Sequence, residues 1–243
     1  MAEITLENVT YVYGKGAPYE MRALDDVSLT FRPGEVTGLI GHTGSGKSTL
    51  VQMLNGLLKP DSGRVLLDGK DIWADPKKIQ DIRFRVGLVM QYPEYQLFDE
   101  TVESDIGFGP KNMGMEPEKI KQAVARAAQF AGLSPELLSK SPFDLSGGQK
   151  RRAALAGVMA MEPDVLVLDE PAAGLDPGGR REILGRIREY QQESGANVII
   201  VSHSMEDMAL YCDRVLVMEN GKLVMSGTPA EVFSRAEELI AVG

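Results

Sequence analysis

The segment from Val36 to Thr49 constrains this chain more than any other stretch. A short apolar run ends at Ile40, and the next eight residues match the pattern G-x-x-x-x-G-K-[ST] at every fixed position. Glycines in such a loop let successive backbone N–H groups turn inward and cradle phosphate oxygens. The residues expected to bind a nucleotide here are Gly41, His42, Thr43, Gly44, Ser45, Gly46, Lys47, Ser48 and Thr49.

Two side chains of this phosphate loop carry specific chemistry. Lys47 can reach the β- and γ-phosphates, and the Ser48 hydroxyl can ligate Mg²⁺. The segment 49–55 is predicted to be a helix whose positive N-terminus faces the same anion. The alternative is a glycine-rich strand-to-helix turn with an unrelated lysine. The complete motif, with a strand before it and a helix after it, favours phosphate binding.

Composition limits the kind of protein this can be. The chain has 243 residues, of which 43% are hydrophobic, and this suits one substantial α/β domain with an inserted subdomain. The net charge of -9 argues against a nucleic-acid partner. A single cysteine, Cys212, excludes an internal disulfide and fits a reducing cytoplasm. With no basic leader and no run of ~18 apolar residues, we expect any membrane role to be exerted through a partner.

Strand and helix signals divide the chain into two kinds of region. Residues 92–160 carry few strand signals, and we interpret them as a helical subdomain inserted between 1–91 and 161–243. Helices are predicted at 116–132, 149–161, 178–193, 205–211 and from Pro229, where Thr228 and Glu231 form a capping box. Strands are predicted at 3–13, 24–31, 36–40, 64–67, 86–90, 165–168, 197–201, 214–218 and 222–225.

Four of these apolar runs end in residues able to do chemistry. The first leads into the phosphate loop, and the others end in Gln91, in Asp169 with Glu170, and in Ser202 with His203. If the sheet is parallel, all four ends lie at one edge, where open α/β sheets bind ligands. Asp169 is placed to hold Mg²⁺, and Glu170, one residue further out, to accept a proton from an attacking water.

Gln91 and His203 are less specific on their own. A polar residue at a strand end is ordinary, and a lone histidine is more often a loop or satisfied core residue. At this edge, however, Gln91 can place a water or touch the metal, and His203 can hydrogen-bond the γ-phosphate. We therefore expect Glu170, His203 and Gln91 to be the catalytic residues, and Ser48, Gln91 and Asp169 to be the metal-binding ones.

A second anion site is predicted at the start of another helix, in Leu145 to Gln149. Ser146 and Gln149 have the spacing of a capping box. Gly147 and Gly148 can also present free N–H groups to a phosphate with no side chain in the way. Because this segment follows the phosphate loop by about 100 residues, one chain cannot close both sites around one nucleotide if the inserted part stands apart. A second chain would then complete the site.

Together these motifs resemble those of the nucleotide-binding subunits of ABC transporters, along nearly the whole chain. The resemblance identifies Gly41 to Ser48 as Walker A, Gln91 as the Q-loop glutamine, and Asp169 with Glu170 as the end of Walker B. It further implies a signature at Leu145 to Gln149, in which Ser146, Gly147, Gly148 and Gln149 bind nucleotide. It also implies a D-loop residue Asp176, a switch histidine His203 and an adenine-stacking Tyr13. Taken alone, Tyr13 is more often a packed strand residue.

The resemblance also implies a fold and ligands. We expect an α/β P-loop NTPase with a mostly parallel core sheet, an antiparallel N-terminal β subdomain and an inserted helical subdomain. The implied ligands are ATP and Mg²⁺. Ala172 departs from the threonine that many relatives have, but it is not a site residue.

A finer resemblance concerns the segments 91–102 and 105–112, which are similar to those of the A′ ATPases of energy-coupling factor importers for vitamins or transition-metal ions. It implies a second ABC ATPase as partner, in a heterodimer or a homodimer, together with a transmembrane T component and a substrate-binding S component. It places the protein peripherally at the cytoplasmic face of the cell membrane.

Other hypotheses remain open at this stage. One is the ATPase of a conventional ABC importer with its own permease. Two others are disfavoured. A non-transport ABC protein acting on DNA or ribosomes would need a coiled-coil insertion or a second such domain, and neither is visible in the sequence. A regulatory nucleotide binder without turnover does not explain the intact Glu170, Lys47 and Gly148.

Overall fold

A computed structural model of the protein describes residues 2–242. The strands are β1 (Ile4–Tyr13), β2 (Met21–Phe31), β3 (Val36–Ile40), β4 (Ser62–Leu67), β5 (Lys70–Asp71), β6 (Val86–Val89), β7 (Val165–Asp169), β8 (Asn197–Val201), β9 (Arg214–Glu219) and β10 (Lys222–Gly227). The helices are α1 (Lys47–Leu54), α2 (Ile79–Arg85), α3 (Val102–Asn112), α4 (Pro117–Ala131), α5 (Gly147–Met159), α6 (Pro177–Ser194), α7 (Met205–Tyr211), α8 (Pro229–Phe233) and α9 (Ala236–Val242).

The strands form two sheets. In the six-stranded sheet the order is β10-β9-β3-β8-β7-β6, and every pair from β9 to β6 is parallel, while β10 returns antiparallel to β9. In the four-stranded sheet the order is β2-β1-β4-β5, and all pairs are antiparallel. The expected mostly parallel core sheet and antiparallel N-terminal sheet are therefore confirmed.

The parallel sheet is covered on both faces. All five residues of β3 and of β8 are buried, as expected for central strands packed on each side. Side chains alternate between the faces: Val165 and Val167 pack with α1 and the antiparallel sheet, whereas Leu166 and Leu168 pack with helices α3 to α6. The packing on both faces holds the carboxyl ends of the parallel strands in a fixed row at one edge.

Residues 92–160 are all described and contain helices but no strand. Helix α4 buries Ala123, Val124, Ala127, Ala128 and Ala131 against its neighbours and ends at Gly132, whose φ of 72° suits glycine. The division of the chain into 1–91 with 161–243 and an inserted 92–160 stays a prediction.

Several elements differ from the expectation. Helix α3 was not predicted, because Gly107, Gly109 and Pro110 lower its helix propensity; a capping box of Thr101 and Ser104 and the burial of Ile106 stabilise it. Helices α1 and α5 each begin two residues earlier than predicted, at Lys47 and Gly147. Both helices therefore start within the predicted anion-binding segments.

The structure also bears on membrane insertion. Within residues 2–242, no helix combines the length and the apolar character needed to cross a bilayer.

Candidate active site

The carboxyl edge of the parallel sheet borders a cavity of about 330 Å³. The predicted site residues that line it are Thr43, Gly44, Gly46, Lys47, Ser48, Thr49, Gln91, Asp169, Glu170 and His203. Strands β3, β6, β7 and β8 each deliver one group of these residues. The predicted convergence of four strand ends is thus what the structure shows.

The phosphate loop needs glycine at several positions, for different reasons. Gly46 has a φ of 101°, and a Cβ there would meet the Ala23 carbonyl oxygen at 2.4 Å. Gly44 has a φ of 84°, but among the described residues nothing lies within 4 Å of its would-be Cβ. Close packing therefore requires glycine at position 46. At position 44 the backbone conformation alone requires it, and the open side lies at the cavity.

The Lys47 ammonium is held beneath this loop. Lys47 is only 6% exposed, and its Nζ donates to the carbonyl oxygens of Gly41 at 2.7 Å and His42 at 2.9 Å. Burial lowers the pKa of Lys47, while nearby Glu170 and Asp169 oppose that shift. The charge is thus partly desolvated, and this strengthens its interaction with an anion in the cavity.

Asp169 ends β7 beside the start of α1. Burial raises the pKa of its carboxyl, against the opposing effect of a hydrogen bond with the Ser48 hydroxyl. A hydroxyl and a carboxylate in contact are donors of the kind that Mg²⁺ takes in nucleotide sites. Within residues 2–242 no cluster of three or more His, Cys, Asp or Glu is placed to hold a metal.

Glu170 has a strained backbone. Its φ is 54°, in the left-handed region that non-glycine residues seldom adopt, and its N–H donates to the Val201 carbonyl oxygen at 3.0 Å. Its Oε1 lies 3.3 Å from Nε2 of His203, yet it is buried and accepts no hydrogen bond from the described residues. Burial, with the nearby Asp169 charge, raises the pKa of Glu170, as suits a proton acceptor.

Gln91 and Tyr13 lie at the margins of this site. Gln91 follows β6 by two residues, lines the cavity and is exposed. Tyr13 ends β1, and its hydroxyl lies 3.3 Å from the Thr49 hydroxyl at the start of α1. Its ring is 37% exposed and packs edge-to-face on Tyr11, with ring centroids 4.9 Å apart. One side of the Tyr13 ring is therefore accessible next to the phosphate loop.

The predicted signature is not part of the cavity. Ser146 caps α5, and its Oγ accepts from the Gln149 N–H while its own N–H donates to Gln149 Oε1 at 2.9 Å. Gly147 and Gly148 begin the helix, and no described residue lies within 4 Å of a Cβ at either position. Packing within the described part of the chain therefore does not require glycine at either position. The space beside these two residues is open.

Asp176 has a structural role in this chain. It caps α6, and its Oδ1 accepts from the Gly179 N–H at 2.7 Å. It does not line the cavity.

Three wall residues were not predicted as site residues. One is Val201 at the end of β8, and the other two, Met21 and Ala23 of β2, close one side of the cavity. Strand β2 begins at Met21, three residues before the predicted strand, and pairs there with Tyr13. No sequence motif marks these positions, since they reach the site only through pairing between strands.

Comparison with known proteins agrees with this geometry. The protein-family model described as ABC transporter matches residues 24–173. The energy-coupling factor transporter ATP-binding protein EcfA2 of Clostridium tetani is 56% identical over 241 residues, covering 99% of this chain and 84% of that protein. The EcfA2 protein of Caldanaerobacter subterraneus is 52% identical over 240 residues, with coverages of 99% and 84%.

Solved structures show the same likeness. CbiO1 from Clostridium perfringens, part of the ABC transporter complex CbiONQ, superposes with a TM-score of 0.86 at 42% identity and covers 98% of this chain and 93% of that one. A dimeric post-hydrolysis state of the ATP-binding cassette MJ0796, bound to ADP and Pi, gives a TM-score of 0.84 at 26% identity, covering 93% and 98%.

Proposed function

The chain belongs to the ABC transporter ATPase family, and we propose that it energises an energy-coupling factor importer of vitamins or transition-metal ions. The observation that carries this proposal is the meeting of the phosphate loop, Asp169, Glu170, Gln91 and His203 around one cavity. The names of the relatives supply the transporter class.

The residues around the cavity have different roles in the proposed ATP hydrolysis. The loop N–H groups and Lys47 bind the phosphates, and Tyr13 presents a ring on which adenine can stack. The oxygen of a water molecule attacks the γ-phosphorus while Glu170 accepts a proton from that water. The bond between the γ-phosphorus and the β–γ bridging oxygen breaks in the same step. Gln91 and His203 border the same space and orient the water and the γ-phosphate.

Ser48, Asp169 and Gln91 are the residues that would hold Mg²⁺. The ion supplies charge neutralisation of the β- and γ-phosphates when bound. The half-buried Asp169 carboxyl, beside the Ser48 hydroxyl, is the observation that fits it.

A second ATPase would complete each site. The phosphates bind at the loop, whereas the open N-terminus of α5 lies outside the cavity and offers its first N–H groups to another anion. ATP between two chains would contact the loop of one and Ser146, Gly147 and Gly148 of the other. Asp176 lies at the start of α6, where it would take part in the same contact. The partner is a related ATPase in a heterodimer, or a second copy of this chain.

The surface after Gln91 suits a membrane partner. Tyr92, Tyr95, Phe98 and Phe108 are all exposed; Tyr95 is 85% exposed, and Phe98 packs edge-to-face on Phe108 at 4.9 Å. Such an apolar patch marks a protein contact. We infer that this patch receives the transmembrane T component. In the proposed assembly the S component binds the cargo, and this chain lies peripherally at the cytoplasmic face of the membrane.

Purification from host membranes tests the assembly. The tagged chain, solubilised in mild detergent, should bring down a second ABC ATPase, one T-like protein and small S-like membrane proteins, and the complex should hydrolyse ATP. A homodimer bound to a pair of permeases would favour a conventional importer instead. Recovery without any membrane protein would contradict both transport hypotheses.

A further inference from the structure

A buried arginine outside the cavity joins three segments of the site. Arg151 is 6% exposed, and its guanidinium binds both carboxylate oxygens of Glu94, with Nη2 to Oε1 at 2.9 Å and Nε to Oε2 at 3.3 Å. Its third nitrogen, Nη1, donates to the carbonyl oxygen of Ala173. A fork of this kind fixes direction as well as distance.

Each end of this contact leads to a predicted site residue. Glu94 follows Gln91 by three residues, in a short 3-10 turn of Pro93–Gln96. Ala173 closes the turn that carries Glu170, because its N–H donates to the Glu170 carbonyl oxygen at 3.2 Å. Arg151 itself lies five residues after the helix cap Ser146. Arg151, which lies on the helix that begins at the predicted signature, therefore bonds to both the Gln91 loop and the Glu170 turn.

Two of the joined segments hold strained backbone. Tyr92, next to Gln91, has a φ of 56°, and Glu170 has a φ of 54°. Such conformations persist only where surrounding contacts hold them. Glu94 lies two residues after Tyr92, and Ala173 three after Glu170, so Arg151 anchors both loops close to the strained residue.

We propose that Arg151 is a positioning residue for ATP hydrolysis, which holds the Glu170 turn and the Gln91 loop in register with the signature helix. This inference rests on the proposed function. It adds that contact of a partner at the 92–98 surface is transmitted to Glu170 through Glu94, Arg151 and Ala173, and that contact of a phosphate at the start of α5 is transmitted through Arg151 and Ala173. Neither Arg151 nor Glu94 lines the cavity.

The neighbouring arginine provides a matched control. Arg152 also makes a two-bonded pair with a carboxylate, Glu182, with nitrogen–oxygen distances of 3.0 and 2.7 Å. This pair joins α5 to α6, and Arg152 also donates to the Gly132 carbonyl oxygen at the end of α4. It touches neither the Gln91 loop nor the Glu170 turn.

The experiment compares Glu94→Gln, Arg151→Lys and the control Glu182→Gln. ATP affinity is measured by calorimetry on the isolated chain, and kcat and KM on the purified transporter complex. Glu94→Gln keeps shape but loses the charge, and Arg151→Lys keeps the charge but loses the fork. We expect both to lower kcat by about 10- to 100-fold, as small misplacements of reacting groups do, with KM and affinity within about twofold.

A positioning role for Arg151 predicts two further results. The double variant should be no slower than the slower single variant, because both changes break one contact. Glu182→Gln should retain kcat within about twofold. If Arg151→Lys does not fold, the kcat of Glu94→Gln alone tests the inference. The melting temperature of Glu94→Gln is then compared with that of Glu182→Gln to separate lost positioning from lost stability.

Equal kcat values for Glu94→Gln and Glu182→Gln would overturn the inference, as would a loss that only follows the fall in melting temperature. ATP turnover of the wild-type complex distinguishes this outcome from failure of the proposed function. A wild-type complex without ATP turnover contradicts the proposed function, whereas an active one with an unaffected Glu94→Gln contradicts only the role of Arg151.

Discussion

At the scale of single residues, Glu170 combines a half-buried carboxylate, a strained backbone and one buried oxygen, Oε1, that accepts no hydrogen bond from a described residue. A strained backbone and an unsatisfied buried oxygen each raise the free energy of the folded state, and they persist only where surrounding contacts impose them. Such features cluster at functional sites. The same residue follows Asp169, and their proximity contributes to the raised pKa of Glu170. Two adjacent carboxyls in different surroundings thus suit two roles, proton acceptor and metal ligand.

Glu170→Gln should lower ATP turnover at least ~100-fold, the usual scale of a lost general base, without lowering ATP affinity. The amide keeps the size of the side chain but cannot accept the proton. Steady-state turnover of the transporter complex, together with calorimetry on the isolated chain, measures both quantities. Near-normal turnover in a complex in which this site is the active one would contradict the assignment.

Lys47→Ala should weaken ATP binding by about 1.5–3 kcal/mol, because a charge-assisted contact to phosphate is lost. The lysine also ties the carbonyl groups of Gly41 and His42, so the variant's melting temperature without nucleotide must be compared with wild type. Calorimetric titration with ATP gives the affinity. An unchanged dissociation constant would argue against the phosphate-loop interpretation.

Tyr13→Ala should weaken ATP binding by roughly 1 kcal/mol of stacking, while Tyr13→Phe, which keeps the ring and loses only the contact with Thr49, should bind normally. The same titrations provide the measurement. If the tyrosine serves only packing against Tyr11, the alanine variant will melt at a lower temperature without nucleotide and show no specific binding defect.

At the scale of elements, the start of α5 has features of an anion site that lies outside the cavity. The capping box satisfies Ser146 and Gln149 locally, and the two glycines leave their surroundings open. The helix dipole adds a positive partial charge at this end. An incoming phosphate from another chain is the ligand that this arrangement favours.

Gly148→Asp should therefore lower ATP turnover of the complex by about 100-fold while leaving ATP affinity of the isolated chain unchanged. The new carboxylate repels the incoming phosphate but lies away from the cavity. Gly185→Asp is a matched control, since Gly185 is also a helical glycine with no described atom within 4 Å of its would-be Cβ. If both variants lose activity equally, helix destabilisation rather than phosphate repulsion is responsible.

At the scale of the whole molecule, the phosphate loop and the proposed second anion site at the start of α5 lie apart in one chain. The cavity holds the phosphate loop, while the signature lies elsewhere. ATP between two chains should favour closure, and loss of the γ-phosphate contact should relax it, a motion that a membrane partner can follow.

Mg-ATP should drive Glu170→Gln into a stable dimer with its partner ATPase, because the trapped nucleotide bridges both half-sites and is not hydrolysed. Sedimentation velocity with ATP, with ADP and without nucleotide measures the association. Adding Gly148→Asp to the same chain should abolish it. A monomer under all these conditions would contradict the two-chain site.

The sequence by itself determined those features whose chemistry lies in one continuous segment. The phosphate loop at 41–48, the acidic pair at 169–170 and the caps at Ser146 and Thr228 are all readable locally, because turn geometry and capping depend on neighbouring residues. The apolar runs also predicted the parallel strands, since strands covered on both faces have few polar residues.

Only the tertiary structure decided those features that no local motif marks. Helix α3 forms despite two glycines and a proline because a cap and buried contacts outweigh its weak propensity. Met21 and Ala23 reach the cavity through strand pairing, and Arg151 joins Glu94, 57 residues away, to Ala173. Contacts between distant segments depend on packing and burial in the folded chain, and local sequence patterns do not encode that packing.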